Sequence, residues 1–459
     1  MKNLFLIFVF ILVLFSCSVD EPVSRVAEDC FITKSGLSIH SFENCFVSDT
    51  EIEAYARFRA LATKNEDLIV SEVIPISFED VICAYLLNYN EGWEVISGDK
   101  RFEPSLADSH TGSYIFGVSE GSDAWIYSLV EEIFAQQNKM SEPGFIDGLS
   151  SKAKESIENN LSFWSIITSP ETFFDSPKTK VNGDGGILVL VDVEIDTLYY
   201  SQINHILETQ WTQFEPFNAQ YPNDSTLIEG KLFASDEAVA AAQMLYFLHN
   251  EFGSPENIPS YVTCDYINNV WHIYNHGSTD SLWSSMLNSD GVSASILIAV
   301  TDADLAATCV QSQHPYFNAD NANIVSQVFN NYDITCIEST YNPSSIDNYL
   351  HAGFPSIVRS LAYSQSGNTT NVAYIVDACM HGIIRQTYYY ELQYPDGTVG
   401  IAPIEQFYLG TVLWKFGMNF GTGNQSASWY SPTAIIELGD IYTISNASKT
   451  MISSFTVSD

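Results

Sequence analysis

The chain has 459 residues, 46% of them hydrophobic, and a mean hydropathy of +0.02, which is enough apolar material for two or three domains with their own cores. Its 56 Asp and Glu against 18 Lys and Arg leave a net charge of −38, which repels phosphate backbones and anionic lipid headgroups and excludes nucleic acid as a partner. Aromatic residues reach 13% while charged residues stay at 16%, so the acidity belongs to the surface of a folded chain rather than to a disordered one.

At the N-terminus, Lys2 precedes an apolar run from Leu4 to Phe15, the length of a signal-peptide core and too short to span a bilayer. Leu14-Phe15-Ser16-Cys17 resembles the bacterial lipobox, in which the cysteine becomes the lipidated first residue after cleavage. Residues 1–16 are then a signal peptide and residues 17–26 a lipidated tether. Ser18, rather than Asp, after the cysteine resembles outer-membrane sorting, and Val19-Asp20-Glu21 resembles the surface-export tether of Bacteroidetes lipoproteins. The expectation is a protein held through Cys17 at the bacterial outer membrane and facing the cell surface. The other cysteines, Cys30, Cys45, Cys83, Cys264, Cys309, Cys336 and Cys379, form no CxxC pair and do not alternate with His at zinc-ligand spacing. Neither a metal nor another cofactor is therefore expected, and Cys30 and Cys45 are the one close pair that a disulfide could join.

In chain order, a helix is predicted over Asp49–Lys64, and Ala84–Asp99 reads as two strands joined by a turn at Gly92. Ser119–Lys154 reads as largely helical, with Trp125, Ile126, Leu129, Val130, Ile133 and Phe134 at helical spacing. The polar stretch Ser169–Gly186 separates a first domain, 27–168, from a second, 187–459. The second opens with a strand at Ile187 and continues to a helix from Asp236 to about Phe252. That helix is apolar around its whole circumference, the pattern of a buried central helix. Ser235 reads as its N-cap, with Asp236 and Glu237 in the first turn, where free N–H groups and the macrodipole favour acidic side chains. His249, near its C-terminal end, reads as structural. Trp271-His272 and Asn275-His276 read as surface residues of a loop rich in Asn, Asp and Ser.

Three pieces of the second half resemble, in order, the streptopain family of papain-like cysteine peptidases. Trp211-Thr212-Gln213-Phe214-Glu215-Pro216-Phe217-Asn218 with Tyr221-Pro222 is similar to the family's WxQxxPYN segment. Ala234 through Met244, followed by His249 and Pro255, is similar to its GCVAVAMAQIM helix. Ala352-Gly353-Phe354-Pro355, followed by Asn371 through Asp377, is similar to its AGRP and GHAWVIDG strands. Gly417-Met418-Asn419-Phe420-Gly421 stands where the family has HxNWGWGG. In the first half, Tyr85–Asp99 and Pro104 through Gly112 are similar to the family's propeptide, a Spi-type inhibitor domain. The resemblance implies an α+β chain: a papain-like two-lobed peptidase fold, with a central helix against an antiparallel sheet, preceded by an α+β propeptide-like domain.

The same resemblance assigns the site position by position. The nucleophile position falls on Asp236 instead of Cys, and the base position on Val372 instead of His. Gln213 matches the oxyanion-hole glutamine and Asn419 the residue that orients the imidazole. Phe420 and Thr422 replace the two tryptophans that wall the family's site. Cysteine peptidases need a thiolate, an imidazole, oxyanion donors and an orienting group. Two of these four are gone, so no thiol-dependent proteolysis is expected, and the two domains should stay joined because the chain cannot remove its own propeptide. The implied role is binding of a protein or peptide, with an active peptidase as one such ligand. Two alternatives stand beside it: an active cysteine peptidase with a relocated thiol, such as Cys379 with His381 on one face of a strand, and an unrelated surface glycan- or nutrient-binding lipoprotein.

Overall fold

The computed structural model describes residues 31–33, 36–38, 45–63, 65, 67–116, 120–168, 179–181, 187–209, 211–213, 236–256, 261–265, 270–274, 283, 329–330, 332–363, 369–400, 404–421, 428–431 and 450–457. Cys17 and Cys30 lie outside these residues, and with them the lipid anchor and one partner of the expected disulfide. So do Ser235, Asn275, His276, Thr422 and most of the stretch 169–186. Among the described residues no helix is long and apolar enough to cross a membrane.

The chain divides into a short unit, Met1–Asn44, and a large one, Cys45–Asp459. In the short unit, β1 (Phe31–Thr33) and β2 (Gly36–Ser38) form an antiparallel hairpin.

The large unit is α+β. Its first helix, α1 (Asp49–Ala62), starts with a capping box in which the Ser48 N–H donates to Glu51 Oε2 at 2.8 Å. It buries Ile52, Tyr55 and Phe58. Strands β3 (Val70–Phe78), β4 (Val81–Tyr89), β5 (Trp93–Ser97) and β6 (Ser105–Ser109) follow as an antiparallel meander. The predicted pair of strands within Ala84–Asp99 forms as β4 and β5, with Gly92 at φ +86 in the turn between them. The predicted helical stretch Ser119–Lys154 is two helices, α2 (Glu120–Met140) and α3 (Ser151–Thr168). The chain breaks at Ser141-Glu142-Pro143-Gly144, where Gly144 takes φ +77, and α3 runs well past the predicted end.

The second half supplies β7 (Thr179–Val181), β8 (Ile187–Ile203), helix α4 (Asp236–Phe252), the hairpin β9 (Tyr261–Asp265) and β10 (Val270–Tyr274), and β11 (Ile334–Thr340). Helix α5 (Pro343–His351) and strands β12 (Ser356–Tyr363), β13 (Thr369–Gln393), β14 (Val399–Gly400), β15 (Ile404–Asn419), β16 (Trp429–Tyr430) and β17 (Thr450–Val457) complete it. Trp271 and His272, expected in a loop, lie in β10, where His272 faces Thr263 of β9. Tyr261–Asp265 and Val270–Tyr274 are rich in β-branched and aromatic residues, which favours strands over the expected loop.

One antiparallel sheet runs through both halves in the order β11-β17-β12-β13-β15-β16-β6-β5-β4-β3, with β8 along the far part of β13. Helix α4 packs on the β12 and β13 side and buries Val239, Ala240, Ala241, Ala242, Met244, Leu245, Phe247 and Leu248, as its all-round apolar sequence predicts. Each large aliphatic side chain so buried contributes about 1.5–3 kcal/mol. The core that forms around this helix also holds Trp211, Trp283 and Ile375, so it presses the first turn of α4 onto the centre of the sheet.

Candidate functional site

The first turn of α4 meets β13 through Asp236, beside Val372. Asp236 Oδ2 accepts the backbone N–H of Ala373 at 2.7 Å, so the carboxyl sits against the strand immediately after Val372. Asp236 Oδ1 accepts the N–H of Glu237 at 3.1 Å, the ordinary use of an acidic side chain at a helix start. Val372 is buried, opposite Ser360 in the β12–β13 register. Asp236 thus meets β13 at the backbone of Ala373, one residue beyond Val372.

Part of Asp236 reaches the surface, but its carboxyl is enclosed. Burial pushes it up to about 8, the adjacent Glu237 adds to the rise, and the N–H groups of Ala373 and Glu237 only partly offset it. The ionised carboxylate expected from the helix dipole is therefore replaced by a neutral acid at pH 7, because desolvation outweighs the dipole here. Burial also raises Glu237, against the pull of Arg359, which reaches it from β12 with Nη2 at 3.4 Å from Oε1. Arg359 lies opposite Ala373 in the β12–β13 register and also approaches Glu338 of β11, Nη1 to Oε1 at 3.4 Å.

Asn419, at the end of β15, is buried and fully engaged. Its Nδ2 donates to Gln243 Oε1 at 2.9 Å and its Oδ1 accepts the Gly421 N–H at 2.9 Å. Thr209 Oγ1 donates to the same Gln243 oxygen at 2.7 Å, which leaves Gln243 Nε2 as a buried donor without a partner among the described residues. Gln213 joins through its backbone, its N–H donating to Gly421 O at 3.2 Å, while its side chain is half-exposed. The structure thus gathers Gln213 and Asn419 around Gly421. Asn419 spends its donors on Gln243 and the Thr209 carbonyl, and Val372 offers no ring for it to orient. Phe420 is buried between Tyr374 and Tyr430, with ring centroids at 4.8 and 5.2 Å, and acts as core.

Among the described residues, His249 and His205 are committed elsewhere. His249 Nδ1 is 2.7 Å from the Pro255 carbonyl, and its ring stacks on Trp283 at 4.6 Å, a structural placement. His205 is a residue that sequence reasoning missed: its Nδ1 lies 2.8 Å from Asp377 Oδ1 although 172 positions separate them in the chain. Burial lowers the His205 pKa, but the hydrogen bond and charge of Asp377 outweigh it, and the net shift is upward. Cys379 and His381 do lie together on β13, with Asp347 and His351 of α5 beside them, and the Cys379 thiol has no exposed surface from which to attack a substrate.

No protein-family profile and no curated protein matches the chain. Among solved structures, Prevotella intermedia prointerpain A is 14% identical with a TM-score of 0.48, the alignment covering 84% of this chain and 100% of that one. The active wild-type interpain A cysteine protease of Prevotella intermedia is 16% identical with a TM-score of 0.36, over 55% and 95%.

Proposed function

We propose that the chain is a surface-anchored lipoprotein built on the scaffold of a streptopain-type peptidase zymogen, no longer hydrolysing peptide bonds and acting by binding a peptide or protein, an active peptidase being the favoured ligand class. The observation that carries this reading is the 2.7 Å hydrogen bond from the Ala373 N–H to Asp236 Oδ2. It is what the motif correspondence requires if Asp236 and Val372 occupy the positions of a nucleophile and its base. At those positions stand a protonated carboxyl and an aliphatic side chain, which provide neither a nucleophile nor a proton shuttle. Loss of the general acid/base alone removes about 10²–10⁴-fold in rate, and loss of the thiolate closes the covalent route. The glycan-binding alternative loses support, because six of the eight tryptophans are buried.

The test uses the chain from residue 18 onward. Incubated with casein and with a thiol-reactive peptidase probe, it is expected to give neither cleavage nor labelling, and dose-dependent cleavage would overturn the proposal. The double variant Asp236→Cys, Val372→His is expected to recover part of the probe labelling, since the hydrogen bond to Ala373 sets position 236 beside the strand that carries position 372. A folded double variant that stays unlabelled sinks the peptidase correspondence.

A further inference from the structure

Four side chains with metal-binding chemistry meet where α5 packs on β13, away from Asp236. Asp347 and His351 are four apart on one face of α5, and Cys379 and His381 are two apart on one face of β13. The ligating atoms of Asp347, His351 and Cys379 all lie within 4.8 Å of one another. His381 Nε2 is 2.9 Å from Asp347 Oδ1, so the fourth side chain reaches the same carboxylate.

The surroundings orient these groups as outer-shell partners orient metal ligands. His351 Nδ1 donates to the Asp347 backbone carbonyl at 2.9 Å and stands 3.7 Å from Asp347 Oδ1, so the neutral ring carries its lone pair on Nε2. That Nε2 stands 3.1 Å from Ser201 Oγ, a weak neutral partner that a cation can displace. The His381 ring lies flat against Trp414, with centroids 5.5 Å apart and planes at 21°, which fixes the direction of its nitrogens. The cluster runs from a closed floor to an open rim: Cys379 is fully buried, Asp347 and His381 are 20% and 17% exposed, and His351 is 42% exposed. An ion can enter past His351 without unfolding the core.

The donor set selects the ion. Calcium and magnesium take oxygen ligands, whereas one thiolate, two imidazoles and one carboxylate suit a borderline-soft divalent ion. Tetrahedral zinc holds sulfur at about 2.3 Å and nitrogen at about 2.0–2.1 Å, so neighbouring ligand atoms must close to roughly 3.5 Å, a side-chain adjustment of about 1 Å here. We propose that Asp347, His351, Cys379 and His381 form a structural site for a Zn²⁺-class ion that clamps α5 to β13. Reading the sequence for zinc spacing misses it because the ligands come as a helical i, i+4 pair and a strand i, i+2 pair from separate segments.

The test again uses the chain from residue 18 onward, stripped with a chelator and titrated with Co²⁺. The expected result is the visible d–d absorption of tetrahedral cobalt together with a thiolate-to-cobalt charge-transfer band, both saturating at one equivalent and displaced by Zn²⁺. Cys379→Ser should remove the charge-transfer band, while Cys83→Ser, at a buried thiol elsewhere, should leave it in place. Since Cys379 is a core residue, the second variant is His351→Ala at the exposed rim, which keeps the fold and should weaken binding by at least about 100-fold, beyond what loss of an outer-shell partner costs. Zn²⁺ should also raise the melting temperature of the parent chain and not that of His351→Ala. No saturable cobalt spectrum, or a charge-transfer band that survives in both Cys379→Ser and His351→Ala, overturns the site.

Discussion

A carboxyl in the first turn of a helix is ordinarily ionised, and Asp236 departs from that rule because the sheet closes over it. Its unfolded pKa is near 3.9, whereas burial, with Glu237 alongside, pushes the folded value up to about 8. Between those values the folded chain holds a proton that the unfolded chain has released, so stability falls as pH rises through the window. The favourable contribution is complete below about pH 4 and is lost by about pH 8, with a slope of at most about 1.4 kcal/mol per pH unit. Asp236→Asn is neutral throughout and can still accept the Ala373 N–H. It is expected to raise the urea midpoint at pH 8 and to change it little near pH 5, so that the gap between variant and parent widens with pH. Glu103, raised by burial to about 7, acts on both proteins alike and cancels in the comparison. A variant whose midpoint parallels that of the parent at every pH would mean that the carboxyl is ionised in the folded chain.

At the scale of elements, the end of β15 fixes how α4 meets the sheet. Gly421 takes φ +68, donates its N–H to Asn419 Oδ1 and accepts the Gln213 N–H, and a Cβ there would stand 2.9 Å from Val239 Cγ1 of α4. Gly421→Ala therefore combines left-handed backbone strain of about 1–2 kcal/mol with an overpacking cost of about 1–3 kcal/mol. Gly112→Ala, at φ +71 with open space around it, should show the strain alone. Urea unfolding at equal m-value separates the two, and equal costs would show that Val239 yields freely. The elements themselves were legible where one pattern dominates: α4 from its apolar circumference and β4–β5 from Gly92. The polar composition around Trp271-His272 misled because Asn, Asp and Ser accompany both loops and the connections of short strands. In the candidate site, motif order picked out Asp236 and Val372, and Asp236 bonds the backbone of Ala373, the residue after Val372. It could not anticipate that Asn419 is held by Gln243 and Thr209, nor that His205 meets Asp377, because these contacts depend on how distant strands align and no local period encodes that. The protonation of Asp236 was illegible for the same reason, since it follows from enclosure by β13 and not from helix position.

For the whole molecule, the decisive feature is that the two halves share a sheet. Trp429 and Tyr430 of β16 pair with Asp108 and Ala107 of β6, and the Ser431 N–H donates to Leu106 O at 2.8 Å. A buried charge cluster lies across the same seam. Lys415 of β15 is ion-paired with Asp108 and donates to Ser105 Oγ at 2.6 Å, while Arg59 of α1 bonds Asp108 at 2.8 Å and approaches Glu94 at 3.3 Å. Burial alone would raise the Asp108 carboxyl, but Lys415 and Arg59 outweigh it and hold it well below the usual range. Removing one partner of such a buried pair costs about 3–5 kcal/mol, because the other charge is left unpaired. Separating the halves would take Lys415 from Asp108, leaving the carboxylate to Arg59 alone, and would also bare the edge of β6, an open template for other strands. A chain carrying an inserted specific protease site between residues 169 and 178 should therefore elute, once cut, as one complex of both fragments. Lys415→Met should weaken that complex, and raising the salt concentration should do little, because buried pairs are poorly screened. Fragments of the parent chain that part on a sizing column would show that covalent connection, and not the seam, holds the halves together. The first half would then be free to move on its own, whereas the intact seam commits it to working as one body with the second half.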